Sequence, residues 1–116
     1  MGRSQKRLNL DVRRERDCAV VRVSGSAGMS EAEPMRLRLE ELADSRIPVI
    51  VLDLTEMDFI CSAGLAAIIS AHLRSRHHRG QIKLVNPQPA VKDLLELTRL
   101  TKLFPVHETL DQALRV

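Results

Sequence analysis

Residues 49–65 read VIVLDLTEMDFICSAGL, and this stretch decides the fold. It opens with a continuous apolar run over residues 49–52. A strand without polar alternation is typical of a parallel sheet that helices cover on both faces. The run stops at Asp53, a loop is predicted over residues 54–61, and Ser62 opens a helix. The segment therefore predicts a buried strand, a loop and a helix of an α/β domain.

Apolar side chains recur with helical spacing in three segments of the chain. In each segment they fall at intervals of three and four residues, so that they line one side of a helix. The predicted buried sides consist of Met35, Leu39, Leu42 and Ala43 in the first helix, Leu65, Ile68, Ile69 and His72 in the second, and Val91, Leu94, Leu95 and Thr98 in the third.

Capping residues indicate where these helices begin and end. Ser30 and Glu33 have the S-x-x-E spacing of a capping box, but Pro34 prefers the first helical position, which would make Glu33 the cap. Gly80 is predicted to end the second helix in the left-handed conformation. A second capping pattern at Thr109 predicts a short last helix.

Short strands complete the pattern. They are predicted over residues 8–12, 19–23 and 82–85, and an edge segment is predicted over residues 104–106. After the first hairpin, strands and helices alternate, which implies parallel strands with right-handed crossovers. The predicted fold class is a single α/β domain with a mixed, mostly parallel sheet of about four or five strands and about four helices.

The length of 116 residues suits one domain. We assign residues 8–116 to it and residues 1–7 to a flexible tail. The chain contains two aromatic residues, Phe59 and Phe104, so the core must be aliphatic. Phe59 is expected to fill the core beneath the loop.

Charge and composition exclude several function classes. The net charge of +3 comes from scattered basic residues, and no aromatic platform accompanies them, so nucleic-acid binding is not expected. The two cysteines, Cys18 and Cys61, do not form a disulfide framework. No apolar run reaches the length of a membrane span, and no signal peptide is indicated. The expected compartment is the cytoplasm.

Ser62 is the most informative single residue. At the start of a helix its hydroxyl can act as the N-cap and still reach the surface. A phosphate at this position would meet free N–H groups and the positive end of the helix dipole. It would also add about −1.5 to −2 charges and repel a partner docked on the loop. Ser62 is therefore predicted either as a structural cap alone or as a cap that is also phosphorylated.

This stretch resembles the motif D-L-S-x-hydrophobic-x-F-I-D-S-S-G-L of the STAS domain, the fold of bacterial anti-sigma factor antagonists. The resemblance implies a protein-binding switch that is not an enzyme and needs no cofactor. An antagonist of this kind binds an anti-sigma factor, usually a GHKL-type serine kinase. That kinase phosphorylates the motif serine, here Ser62, and a phosphatase reverses the step. The matching residues are Asp53, Leu54, Thr55, Phe59, Ile60, Ser62, Gly64 and Leu65.

The partner is expected on the loop before Ser62 and on the start of the following helix. Two acidic residues of the family pattern are replaced here, by Cys61 and by Gly28. The predicted partner-binding residues are Met57, Asp58, Cys61, Ser62, Ala63 and Gly64.

Two other interpretations remain open. The domain could be a STAS adaptor that is never phosphorylated, in a signalling scaffold or a transporter. Alternatively, Cys61 beside a helix N-terminus could be the nucleophile of a small thiol enzyme, although His72 lies too far along the helix to serve as its base. His77 and His78 point about 100° apart on a helix, so no metal site is predicted. The oligomeric state stays open.

Overall fold

A computed structural model describes residues 7–115 of the chain. Of the predicted tail, residues 1–6 therefore lie outside the described residues. In chain order the elements are β1 (Asn9–Glu15), β2 (Cys18–Ala27), α1 (Met29–Asp44), β3 (Val49–Asp53), β4 (Met57–Ile60), α2 (Ser62–Arg76), β5 (Gln81–Val85), α3 (Pro89–Leu97), a 3-10 helix (Leu100–Lys102), β6 (Val106–His107) and α4 (Leu110–Leu114).

The strands form one mixed sheet in the order β1-β2-β3-β5-β6, and β4 pairs with the end of β2. Among the strands within residues 7–115, only the β1–β2 pair is antiparallel. The pairs β2–β3, β3–β5, β5–β6 and β2–β4 are parallel. The mixed, mostly parallel sheet of a single α/β domain is thus confirmed.

Alternate residues of the central strands supply the two faces of the core. Val21 and Leu52 belong to the large cluster that packs beneath α1 and α2. Their neighbours Val20 and Val51 join Ala113 of α4 on the opposite face. Because helices cover both faces, the central strands are apolar without alternation, as the run over residues 49–52 predicted.

The first two helices run side by side, and a buried carboxylate joins them. Glu40 of α1 accepts hydrogen bonds from Arg36, at 2.9 Å, and from the hydroxyl of Ser70 on α2. Arg74 of α2 lies 3.4 Å from the same carboxylate and 2.8 Å from Asp44. The hydrogen bond from Ser70 and the positive charge of Arg36 lower the pKa of Glu40. This network fixes how the two helices lie against each other.

The prediction of a loop over residues 54–61 is wrong for its second half. Met57–Ile60 forms β4, which pairs with Gly25, Ser26 and Ala27 across a register shift. Its burial pattern is buried, exposed, exposed, buried, which does not alternate. The strand therefore leaves no period-two signal in the sequence, and it forms because the end of β2 offers it a partner.

Two predicted helix ends and one predicted buried position also differ. Helix α1 begins at Met29, with Gly28 as its N-cap and Glu31 accepting the Gly28 N–H at 3.1 Å, so Pro34 lies inside the helix. At the end of α2 the left-handed residue is Arg79, not Gly80. Thr98, the C-cap of α3, is exposed, contrary to its predicted burial. The prediction for Thr109 is confirmed, since its hydroxyl accepts the N–H of Gln112.

Candidate functional site

Two helices begin side by side at the carboxyl edge of the sheet. Ala27 at the end of β2 pairs with Ile60 at the end of β4, and each strand leads directly into a helix. The N–H of Cys61 donates to the carbonyl of Ala27 at 2.9 Å. The Cys61 Sγ lies 3.9 Å from the Sδ of Met29, the first residue of α1. The starts of α1 and α2 therefore form one continuous surface.

Gly25 allows β4 to reach this position. It has a φ of 93°, and its N–H donates to the carbonyl of Glu56 at 3.0 Å. A Cβ atom at this site would lie 2.2 Å from the carbonyl oxygen of Arg7, where the chain crosses over it. Only a glycine fits both the conformation and the close approach. The bend at Gly25 directs the end of β2 toward β4.

Ser62 is the first residue of α2, and Cys61 is its N-cap, so the prediction of Ser62 as the cap is wrong. The Ser62 side chain is exposed. Among the residues that the structure describes, no side chain caps α2, and its first turn contains no acidic residue. The free N–H groups and the positive end of the helix dipole thus lie beside an accessible hydroxyl.

Two of the predicted partner-binding residues are buried. Met57 has no exposed surface, so its side chain does not reach a partner as predicted. Gly64 is also buried, and a Cβ there would lie 2.7 Å from the Ile60 Cγ1. Glycine at this position lets the first turn of α2 pack closely against β4. Asp58, which is exposed, and Cys61 and Ala63, which are partly exposed, remain available together with Ser62.

Asp58 is held in place by a hydrogen bond across the strand pair. Its carboxylate accepts from the hydroxyl of Ser26 at 2.6 Å. A second carboxylate, that of Glu31, is bound to the backbone at the start of α1. Two acidic side chains therefore lie at this edge, although Cys61 and Gly28 replace the acids of the family motif.

Sequence reasoning missed the two large apolar side chains of this surface. Met29 is 73% exposed, and Phe59, which was predicted in the core, is 52% exposed. Phe59 lines a groove of about 1180 Å³, together with residues of α1 and of the start of β1. The rule that the carboxyl ends of parallel strands share one edge could have placed Met29 beside Cys61. No local signal separates exposed Phe59 from buried Met57.

The residues Asp53 and Thr55 of the motif have a structural role. The Asp53 carboxylate accepts from both the N–H and the hydroxyl of Thr55, at 3.1 and 2.6 Å. The Thr55 hydroxyl and carbonyl in turn accept from Asn86, at 3.3 Å, and from Gln88, at 2.9 Å. This network ties the loop after β3 to the loop after β5. It fixes the base from which β4 and α2 start.

The buried imidazole of α2 lies away from this edge. His72 packs edge-on against Phe104, with 5.1 Å between the ring centroids. Neither ring nitrogen has a hydrogen-bond partner within residues 7–115. Burial lowers the pKa of His72, and the nearby charge of Arg76 lowers it further. The Cys61 thiol donates instead to the thioether of Met29, which cannot act as a general base.

Residues 7–115 contain neither a candidate metal site nor a helix suited to cross a membrane. No group of three or more His, Cys, Asp and Glu side chains there is arranged to hold a metal ion. None of the helices within residues 7–115 combines the length and the apolar character needed to cross a bilayer.

The fold and this edge define a small α/β domain whose two helix starts form an accessible surface. Residues 9–113 match the STAS domain profile, and the chain belongs to the STAS domain family. It is similar to the anti-sigma F factor antagonist of Paenibacillus polymyxa, with 26% identity over 102 residues, which is 87% of each chain.

The chain is also similar to solved structures of anti-sigma factor antagonists. An anti-sigma factor antagonist from Mycobacterium paratuberculosis has a TM-score of 0.85 and 29% identity, covering 93% of this chain and 92% of that one. The antagonist SpoIIAA in its unphosphorylated form has a TM-score of 0.78 and 18% identity, covering 92% of each chain. At 18% identity, the similarity to SpoIIAA shows a shared fold and no more.

Proposed function

We propose that this domain is an anti-sigma factor antagonist, a protein-binding switch without enzymatic activity of its own. Its partner is an anti-sigma factor of the GHKL-type serine kinase class, and it acts in the cytoplasm, where sigma factors work. Phosphorylation of Ser62 turns it off, and a phosphatase turns it on again. The observation that carries this proposal is the exposed Ser62 hydroxyl at the uncapped start of α2.

The geometry around Ser62 suits a reversible phosphate. A kinase can reach the hydroxyl because the side chain is exposed at the first position of the helix. Once transferred, the phosphate lies beside N–H groups that have no side-chain cap and beside the positive end of the helix dipole. The fold can therefore hold the modified serine without rearrangement.

The surrounding surface suits a protein partner. Met29 and Phe59 expose apolar area at the same edge as Ser62, and Met and aromatic residues are enriched at interfaces. A phosphate at Ser62 would add about −1.5 to −2 charges to this surface. Asp58 and Glu31 already supply negative charge there, so the modified surface would disfavour any partner that docks with apolar or acidic groups.

The test is a capture experiment with intact-mass analysis. The purified domain is incubated with lysate of its own cells, with and without ATP, and both the captured proteins and the mass of the domain are measured. We expect capture of a GHKL-type kinase, with a mass gain of one phosphate in the presence of ATP. The gain should vanish in Ser62→Ala, and Ser62→Asp should no longer capture the kinase.

Ser30→Ala is the matched control, because Ser30 is an exposed serine in the first turn of the neighbouring helix α1. It should retain both capture and phosphorylation. A phosphate that persists in Ser62→Ala would contradict the proposed switch. Stable capture of a scaffold or transporter subunit, with no mass change, would identify the domain as a STAS adaptor.

A further inference from the structure

Among the described residues, four arginines adopt the left-handed backbone conformation, and three of them lie in turns that precede neighbouring strands. Arg16 has a φ of 58° between β1 and β2, Arg46 a φ of 63° between α1 and β3, and Arg79 a φ of 65° between α2 and β5. This conformation costs a non-glycine residue roughly 1–2 kcal/mol. The chain thus carries arginine at three positions where the backbone favours glycine or asparagine.

The three turns meet at one edge of the sheet, opposite Ser62. The parallel strands β2, β3 and β5 begin in register, with Cys18 paired to Val49 and Val49 paired to Gln81. Neighbouring strands are about 4.8 Å apart, so the three strand starts span roughly 10 Å. The turn after α2 also contacts the last turn of α1, because a ring nitrogen of His78 lies 2.6 Å from the carbonyl oxygen of Ala43. The arginines therefore form a row.

The guanidinium groups of this row are available to a partner. Arg16, Arg46 and Arg79 are exposed, and Arg76 at the end of α2 is exposed beside them. Within residues 7–115 no carboxylate forms an ion pair with any of these four side chains. We call Arg16, Arg46, Arg76 and Arg79 the basic edge.

We propose that the basic edge binds an acidic polypeptide segment, rich in glutamate or aspartate, of a second protein. Arginine presents a planar fork that matches a carboxylate with two parallel hydrogen bonds. The strained backbone supports a binding role, since a glycine in these turns would be easier to fold and would supply no charge.

A peptide fits this edge better than a nucleic acid or a membrane. Neither Phe59 nor Phe104 lies in the three turns, and the chain contains no Tyr or Trp, so no large aromatic side chain there offers a platform for base stacking. None of the large exposed apolar side chains lies in the three turns, which leaves nothing to enter a bilayer.

The test measures binding of a fluorescein-labelled oligoglutamate peptide by fluorescence anisotropy at low salt. We expect the combined variant Arg16→Gly, Arg46→Gly, Arg79→Gly to weaken binding by about tenfold or more, as the loss of several charge pairs implies. Because glycine favours the left-handed conformation, this variant should be at least as stable as the wild type in thermal unfolding. The corresponding triple asparagine variant provides a second test that also tolerates the conformation.

Arg99→Gly is the matched control. Arg99 has a φ of 61° but lies before the 3-10 helix, outside the three turns, so its variant should bind the peptide within about twofold of the wild type. Equal binding by the wild type and the triple variants, or no binding at all, would overturn the proposal. Tighter binding to a DNA oligonucleotide or to phosphatidylserine vesicles than to the peptide would also overturn it.

Discussion

The thiol of Cys61 and the thioether of Met29 lie 3.9 Å apart, and this contact joins the starts of two parallel helices. Cys61 is the N-cap of α2, yet its side chain accepts no N–H from the first turn. The contact therefore holds the two helix starts together while leaving α2 uncapped.

Replacing Cys61 by aspartate should stabilise the domain. Aspartate is among the preferred N-cap residues and can accept an N–H of the first turn, which contributes about 0.5–2 kcal/mol relative to a residue that cannot cap. The measurement is urea unfolding of the wild type and of Cys61→Asp. Cys61→Ala serves as the control, because it removes the sulfur contact without adding a cap. An Asp variant no more stable than the Ala variant would show that the start of α2 does not need a cap.

The opposite burial of Met57 and Phe59 can be tested by truncating each side chain. Met57→Ala should cost about 2–5 kcal/mol of unfolding free energy, the range for large-to-small changes in a close-packed core. Phe59→Ala should cost less, since half of its surface is already in water. Denaturant unfolding gives both values. A Phe59→Ala variant that is the less stable of the two would contradict the position of β4.

Glu40 should contribute more stability than an exposed carboxylate on the same helix. Glu40→Ala leaves the Ser70 hydroxyl without its partner and removes one of the two carboxylates that Arg36 binds, so we expect a loss of about 1–3 kcal/mol. A double-mutant cycle with Ser70→Ala isolates the contribution of the contact between the helices.

Glu33→Ala is the control, because Glu33 also pairs with Arg36 but is exposed. Glu33→Ala should lower the free energy of unfolding by about 0–1 kcal/mol. Equal losses for the two glutamates would show that Glu40 does not join α1 to α2.

His72 should make the domain less stable in mild acid. Its pKa is lowered in the folded state, so between the folded and unfolded pKa values the unfolded chain binds more protons. The stability that the neutral His72 side chain contributes is fully present at pH values above its unfolded pKa of about 6.5. It is lost progressively as the pH falls toward the folded pKa. The measurement is unfolding free energy against pH.

His72→Leu should flatten this dependence and remove two buried nitrogens that lack partners. His77→Gln should leave the dependence of stability on pH unchanged, because His77 is exposed. If the slope between about pH 7 and pH 5 is the same in all three proteins, His72 does not cause it. Glu40 has its pKa lowered from 4.5, so its contribution disappears only at lower pH.

Much of the fold was predictable because it depends on local patterns. The apolar run over residues 49–52 is typical of a strand covered on both faces, and the spacing of Met35 and Leu39 defines one side of a helix. The position of Ser62 at the start of a helix follows from the same patterns. The sequence did not show that Cys61 is the N-cap and Ser62 the first helical residue. Adjacent residues can both be considered for the cap position, and only the extended backbone conformation of Cys61 decides between them.

The sequence by itself determined the order of the elements, the parallel sheet and an accessible serine at the start of a helix, since each depends on residues close together in the chain. Tertiary structure alone decided the pairing of β4 with β2, the burial of Met57, the exposure of Phe59 and the contact between Cys61 and Met29. It also brought Arg16, Arg46 and Arg79 into one row. These features join residues about 30 or more positions apart, such as Cys61 and Met29. Their positions therefore depend on how the strands pair, which no local pattern encodes.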